Sequence, residues 1–357
     1  MFLGGLALLV VGANTLVRGA SRLALSFGIS PLVVGLTIVA FGTSAPEVAV
    51  SVGAVLDGKT DIAIGNVVGS NIFNVLFILG ISALIAPLVV NIQLIRQEVP
   101  IMLGASLLLL AFTFDGKLAF AEGGLLFALL VAYTGFLVVQ SRRETQAAKD
   151  EFAEEFEPAR AGAWDSHWAA QIGLIIVGLA ALVFGSDYLV QASVNFARAL
   201  GVSDLVIGLT IVAAGTSMPE VATSIMAAIK GERDIAVGNV VGSNTFNILG
   251  CLGLSSLVSG DMGLVVAPSV LSFDIWVMLA VALACLPVFI TGREIARWEG
   301  GIFVGYYVAY VAYLILAAQQ HDALQAFSGV MLSFVVPLTV VTLVVVMIRR
   351  PAAERAG

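Results

Sequence analysis

The sequence predicts an all-α membrane protein built from two inverted-topology five-helix repeats and an additional C-terminal helix, about eleven transmembrane helices in all. Three observations predict it. Hydrophobic residues make up 59% of the 357-residue chain and charged residues 11%, whereas a soluble domain carries roughly 25% charged residues. Apolar runs long enough to cross about 30 Å of hydrocarbon, each needing around 20 residues, recur from end to end. A long stretch of the chain also occurs twice. Residues 35–80 align without a gap to 208–253, two-thirds of the positions being identical, at a constant offset of 173 (220 − 47 for the glutamates, 247 − 74 for the asparagines).

The runs, in order, cover 2–25, 31–56, 62–86, 98–114, 118–140, 168–198, 204–229, 235–259, 269–291, 298–318 and 325–348. The first has no basic stretch ahead of it and has a counterpart deep in the chain, so it is expected to be retained and not cleaved as a signal. The first five form repeat one (1–140), and an acidic loop over 141–167 links them to repeat two (168–318). The run at 325–348 lies outside both repeats. The register extends upstream, where Gly12, Leu16, Val17 and Gly28 meet Gly185, Leu189, Val190 and Gly201. A weaker echo sets Glu122-Gly123-Gly124 against Glu299-Gly300-Gly301. Because each copy holds an odd number of spans, the second must enter the membrane from the opposite side.

Placing the loop after the fifth run in the cytoplasm puts Arg22, Arg96, Arg142, Arg143, Lys149, Arg160, Lys230, Arg233, Arg293, Arg297, Arg349, Arg350 and Arg355 inside and only Lys59, Lys117 and Arg198 outside, with Arg18 left within the first run near its inner end. That bias predicts a multi-pass protein of the cytoplasmic (plasma or inner) membrane with its N-terminus outside and its C-terminus inside. The formal charge of −7 sits largely in the acidic loop and a few intrahelical carboxylates, and is no nucleic-acid signature. The lipid bilayer is the expected environment, and no obligatory protein partner is evident. The loop itself reads as a solvated linker without EF-hand spacing.

The chemistry concentrates in the duplicated segment. GTSAPE (Gly42 to Glu47) and GTSMPE (Gly215 to Glu220) interrupt apolar runs. Pro46 and Pro219 cannot donate to the carbonyls of Gly42 and Gly215, so both helices should break there and release backbone carbonyls, an arrangement tolerated at membrane depth only where those groups are buried or line a cavity. Helical spacing puts Glu47 on one stripe with Thr43, Ser44 and the Ala40 carbonyl, and Glu220 on one with Thr216, Ser217 and the Ala213 carbonyl. A carboxylate at the bilayer centre costs at least a few kcal/mol, and two at equivalent positions without a basic residue in their spans point to function. The next helices carry Asn66, Ser70 and Asn74, and Asn239, Ser243 and Asn247, four residues apart on one face. Gly65, Gly69, Gly238 and Gly242 suit close helix approach. For Asn66, Asn71, Asn239 and Asn244, interhelical glue and ion ligation remain equally open.

All these donors are oxygens, which suit a hard cation. Flexible carboxylates favour Ca²⁺ over strongly hydrated Mg²⁺. No His or Cys stands near, which argues against Zn²⁺ or copper. Cys251 and Cys285 read as small buried hydrophobes, and His167 and His321 as interfacial residues. The hydroxyls beside the glutamates have no His or Lys base in their spans, so enzyme chemistry is not expected. No cofactor is called for; the ions are cargo.

At these residues the chain resembles the sodium/calcium exchanger family of the cation/Ca²⁺ antiporter superfamily, whose two repeats each carry a GTSxPE core followed by a GNxxGSN-type helix. The likeness covers the first ten spans, and the eleventh departs from the usual ten. The resemblance implies secondary active exchange of Ca²⁺ for Na⁺, with Glu47 and Glu220 sharing the Ca²⁺, assisted by Thr43 and Thr216. It also implies flanking Na⁺ sites at Ser44 and Ser70 with the Ala40 carbonyl, and at Ser217 and Ser243 with the Ala213 carbonyl. Asn74 and Asn247 match the remaining positions. Some relatives have an aspartate at one of them; asparagine at both leaves the middle site without extra charge and speaks against K⁺ co-transport. The proton-coupled branch carries GNxxE in place of GTSxPE, which favours Na⁺ here. Exchange of about three Na⁺ per Ca²⁺, as the resemblance implies, is electrogenic and directed to Ca²⁺ extrusion. H⁺/Ca²⁺ antiport and a passive cation channel are the rival expectations.

Overall fold

A computed structural model describes residues 1–27, 29–142, 167–199 and 213–348. Almost all of the loop at 141–167, the Gly28–Gly201 correspondence and the first part of the run at 204–229 lie outside the described residues. The helices are α1 (Phe2–Phe27), α2 (Pro31–Thr43), α3 (Ala45–Leu56), α4 (Thr60–Ile85), α5 (Leu94–Phe112), α6 (Phe120–Ser141), α7 (Trp168–Ala199), α8 (Met218–Lys230), α9 (Arg233–Met262), α10 (Val270–Ile290), α11 (Arg297–Ala318) and α12 (Ala323–Val345). Among the described residues nine are long and apolar enough to cross a membrane, or ten when α2 and α3, bent by 42° at their junction, count as one broken span. The span expected at 204–229 is described only from Ala213, as a short turn (Ala213–Gly215) followed by α8.

Glycine decides how the long helices meet. A Cβ at Gly5 would lie 2.8 Å from the Gly185 carbonyl, one at Gly12 2.9 Å from that of Gly178, and one at Gly19 3.0 Å from that of Gln171. The partner number falls as the first rises, so α1 and α7 run antiparallel with backbones in direct contact, as small-residue stripes permit. The echo at Glu122 and Glu299 also finds a local cause. Glu122 accepts the Ala119 N–H and Glu299 the Ala296 N–H, each at 2.8 Å, closing the first turns of α6 and α11. The glycines that follow let helices close in: a Cβ at Gly123 would strike Ser256 of α9, and one at Gly300 would lie 2.7 Å from the Gly80 carbonyl of α4.

Two antiparallel ribbons tie the helix ends, β1 (Leu88–Val89) to β4 (Glu294–Ile295) and β2 (Lys117–Leu118) to β3 (Leu264–Val265). Two further intrahelical carboxylates are hydrogen-bonded by tyrosines of neighbouring helices. Glu98 accepts from Tyr133 Oη at 2.6 Å, holding α5 to α6, and Asp274 accepts from Tyr310 Oη at 2.8 Å, holding α10 to α11. The core centres on α9, buried without interruption from Ile235 to Gly253, with α4 beside it. In contrast, α12 has no buried side chain among its described residues and is fastened by Tyr306, whose hydroxyl donates to Thr339 Oγ1 at 2.7 Å.

Candidate ion-binding site

The break expected at the GTSxPE motifs is present. Helix α2 ends at Thr43, Ser44 takes φ −81° and ψ 7°, and α3 restarts at Ala45 with Pro46 in its first turn, where a missing N–H leaves nothing unsatisfied. Ser217 takes φ −88° and ψ 11° ahead of Pro219. One carbonyl is not released as expected. That of Ala40 closes the last turn of α2, accepting the Ser44 N–H at 3.0 Å with the Thr43 hydroxyl 3.4 Å away. In the second copy the Gly215 carbonyl is taken up by Ser186 of α7, whose hydroxyl donates at 2.6 Å.

The bend also changes which hydroxyl meets which carboxylate. Spacing placed Ser44 with Glu47 and Ser217 with Glu220, but the structure exchanges them. Ser44 Oγ donates to Glu220 Oε1 at 3.0 Å, and Ser217 Oγ donates to Glu47 Oε1 at 2.8 Å. Both glutamates and both serines are fully buried. The two carboxylates are thus joined across the halves, each held by a serine of the other copy. Thr43 donates to Asn239 Oδ1 at 3.1 Å. Asn239 in turn donates to Ser224 at 3.0 Å, and Asn66 to Ser51 at 3.0 Å and to the Glu47 carbonyl at 3.3 Å. Asn66 and Asn239 therefore brace the broken segments.

Asn74 and Asn247 each open a π-helical turn, Asn74–Leu79 in α4 and Asn247–Leu252 in α9, a widening often found at functional sites. The segment from Asn247 packs on α3, which carries Glu47, and the segment from Asn74 packs on α8, which carries Glu220. Ser70, Ser243, Asn74 and Asn247 are all buried.

One set of atoms stands out. Glu47 Oε2, Glu220 Oε2, Ser70 Oγ, Ser243 Oγ, Asn74 Oδ1, Asn247 Oδ1 and Thr216 Oγ1 are buried without a hydrogen-bond partner. Buried polar atoms are nearly always paired. Here all but Thr216 Oγ1 come as matched pairs at the 173-residue offset, every one is an oxygen, and these seven belong to residues selected from the sequence; Ser82 Oγ and Ser255 Oγ form one further unpartnered matched pair that was not. A hard cation is the ligand such a set fits. Sequence reasoning passed over Thr223, whose buried hydroxyl also has no partner, and Cys251, whose thiol reaches the Glu47 carbonyl at 3.4 Å. Neither position has a polar counterpart in the first copy, so the repeat gave no signal for them.

The family model for sodium/calcium exchanger proteins matches residues 1–139 and 170–316, ending before α12. The chain is 38% identical over 340 residues to the sodium/calcium exchanger MaX1 of Methanosarcina acetivorans, covering 87% of this chain and 96% of that protein. It is 36% identical over 316 residues to the inner membrane protein YrbG of Escherichia coli, covering 87% and 94%. Among solved structures it is similar to the sodium-calcium exchanger NCX_Mj, with a TM-score of 0.73 and 31% identity over 88% of this chain and 97% of that one.

Proposed function

The chain belongs to the sodium/calcium exchanger family, a family of transporters and not of enzymes, and on that premise we propose that it exchanges Ca²⁺ for Na⁺ by alternating access, Glu47 and Glu220 jointly holding the Ca²⁺. At the coarser level it is a multi-pass membrane antiporter of Ca²⁺ and other cations. The matched set of buried, unpartnered oxygens around the two glutamates carries the reading. Two ionised carboxylates balance one Ca²⁺, and neutral amide and hydroxyl oxygens complete its shell. Ser44 and Ser70 with the Ala40 carbonyl, and Ser217 and Ser243 with the Ala213 carbonyl, then serve the flanking Na⁺. The Ala40 carbonyl accepts the Ser44 N–H and lies 3.4 Å from the Thr43 hydroxyl, whose single proton is directed to Asn239 at 3.1 Å, so a second lone pair stays on offer.

Ca²⁺ and Na⁺ compete for the same carboxylates. The pair α1 and α7 slides across the remaining helices to open the site to either side in turn, an idea supported by their glycine-mediated contact. The organisation behind this is two inverted repeats, 1–140 and 168–318, in a cytoplasmic membrane with the N-terminus outside. The recurrence of glycine contacts, caps and serine–glutamate bonds in both copies supports the repeats, and the distribution of basic residues supports the orientation.

Purified protein in sealed proteoliposomes, given either a Na⁺ gradient or a pH gradient, tests the coupling ion. Radiolabelled Ca²⁺ should accumulate against its gradient when Na⁺ is released down its own. Accumulation driven by pH alone would replace Na⁺ with H⁺, and downhill flux needing no counter-ion would make the protein a channel.

A further inference from the structure

Between α4 and α9 lies a hydrogen-bonded group of four amides, a ring closed by Asn71 and Asn244 with the ligand residues Asn74 and Asn247 attached to it, and the ion ligands do not account for the first two. Asn71 Nδ2 donates to the Asn244 carbonyl at 3.2 Å, and Asn244 Nδ2 donates back to the Asn71 carbonyl at 3.3 Å. The side-chain oxygens are used as well. Asn244 Oδ1 accepts from Asn74 Nδ2 at 3.0 Å, and Asn71 Oδ1 accepts from Asn247 Nδ2 at 3.1 Å. All four residues are buried, and the ring is symmetric under the 173-residue offset.

The consequence concerns polarity. An amide presents an oxygen at one end and an NH₂ at the other, and the two ends are nearly the same size. A cation accepts only the oxygen. Because Asn71 and Asn244 spend their own NH₂ groups on backbone carbonyls, their oxygens are left to face Asn74 and Asn247, and they can bond only to the NH₂ end of those amides. The outcome is visible in which atoms lack partners: Asn74 Oδ1 and Asn247 Oδ1 are buried and unbonded, while both Nδ2 atoms are bonded. We propose that Asn71 and Asn244 are positioning residues that fix the amides of Asn74 and Asn247 with their oxygens toward the ion, so that a centre with asparagine at both positions still offers oxygen to Ca²⁺. This rests on the site reading above.

The test is a double-mutant cycle read as equilibrium Ca²⁺ binding to the purified full-length protein by calorimetry, a readout that does not depend on the coupling ion. Asn244→Leu removes the acceptor that orients Asn74. It should weaken Ca²⁺ binding about tenfold, the scale of one buried hydrogen bond. An aspartate at position 74 has oxygen at both ends and needs no orienting. In the Asn74→Asp background the Asn244 oxygen faces a carboxylate oxygen in place of an NH₂, so there Asn244→Leu should leave Ca²⁺ affinity unchanged or raise it, the two sites being coupled. The symmetric cycle, Asn71→Leu with Asn247→Asp, should give the same pattern. Where Asn244→Leu does not yield folded protein, Asn244→Ser, too short to reach Asn74, enters the same cycle.

Equal penalties in both backgrounds would reduce the ring to a structural clasp and overturn the proposal, as would no penalty in either. Glu47→Gln and Glu220→Gln, assayed in parallel, judge the site itself. Loss of binding in those variants together with an uncoupled asparagine cycle would sink the positioning role alone. Unchanged binding in them would sink the site reading instead.

Discussion

The two copies agree at the carboxylates and diverge one residue further out. Glu47 and Glu220 each accept a serine from the opposite copy, and Ser70, Ser243, Asn74 and Asn247 present matching buried oxygens. Around this centre the match fails: Thr223 stands where the first copy has Val50, Cys251 where it has Ile78, and Ser186 where it has Ala13. Thr43 donates to Asn239, a bond that Thr216 does not repeat to Asn66. At the centre the duplicated groups bear charge or an unpartnered oxygen and duplicated asparagines brace them, while the unduplicated ones trim the packing. Function that depends on the pair should therefore be lost symmetrically, and the singletons should produce smaller, one-sided effects.

The sharpest way to break that contrast is to remove one carboxylate at a time. Glu47→Gln and Glu220→Gln should each abolish Na⁺-driven Ca²⁺ flux in sealed vesicles. An uncompensated buried charge partner is worth about 3 kcal/mol or more, over a hundredfold in affinity. The two variants should be equally inactive; one retaining flux would mean that the carboxylates do not act as a pair.

Ser70→Ala and Ser243→Ala come next. Each deletes one neutral oxygen without touching the carboxylates, and a net hydrogen-bond-scale loss of about 1 kcal/mol corresponds to roughly fivefold. Both should raise the Na⁺ concentration needed for half-maximal exchange by similar factors and move the Ca²⁺ dependence less. Unequal shifts would show that the flanking sites are not equivalent despite their shared sequence.

How much of this could be read beforehand follows from the same duplication. A repeated, charged, membrane-embedded motif is visible in a linear string, so the two glutamates, the broken helices and the GNVVGSN faces were all within reach. The partner of each serine was not. Helical spacing assigns Ser44 to Glu47, and only the bend at Ser44 turns its hydroxyl to Glu220. The role of Asn71 and Asn244 stayed open for a similar reason, because an amide can donate, accept or ligate and its choice depends on what faces it in three dimensions. The Glu122 and Glu299 echo was legible as a repeat but not as a cap, since capping is defined by backbone groups that sequence does not place. Cys251 and Ser186 lay beyond reach, each gaining its partner from a helix remote in the chain.

Ser186 gives the first one-sided prediction. Its hydroxyl joins α7 to the Gly215 carbonyl, and no equivalent bond can form at Ala13. Ser186→Ala should leave Ca²⁺ affinity nearly unchanged but alter the turnover rate, by about threefold for an interhelical hydrogen bond of roughly 0.6 kcal/mol in a membrane. Stopped-flow flux at saturating Ca²⁺ reads it directly. A change in affinity with constant turnover would place Ser186 among the ligands and not on the moving helix.

The smallest effect should come from Cys251, although its thiol touches the backbone of Glu47 itself. Its thiol is a weak donor to the Glu47 carbonyl at 3.4 Å, and that carbonyl already accepts the Asn66 amide at 3.3 Å. Removing the sulfur in Cys251→Ala therefore leaves no polar group unpaired, only a small void, which lowers thermal stability by about 1 kcal/mol. Ca²⁺ affinity should stay within about twofold, because no charge or ligand oxygen changes and a twofold shift is under 0.5 kcal/mol. A tenfold loss of affinity with unchanged melting temperature would mean that the thiol acts on the bound ion, and that closeness to Glu47 matters more than symmetry in deciding which residues serve the site.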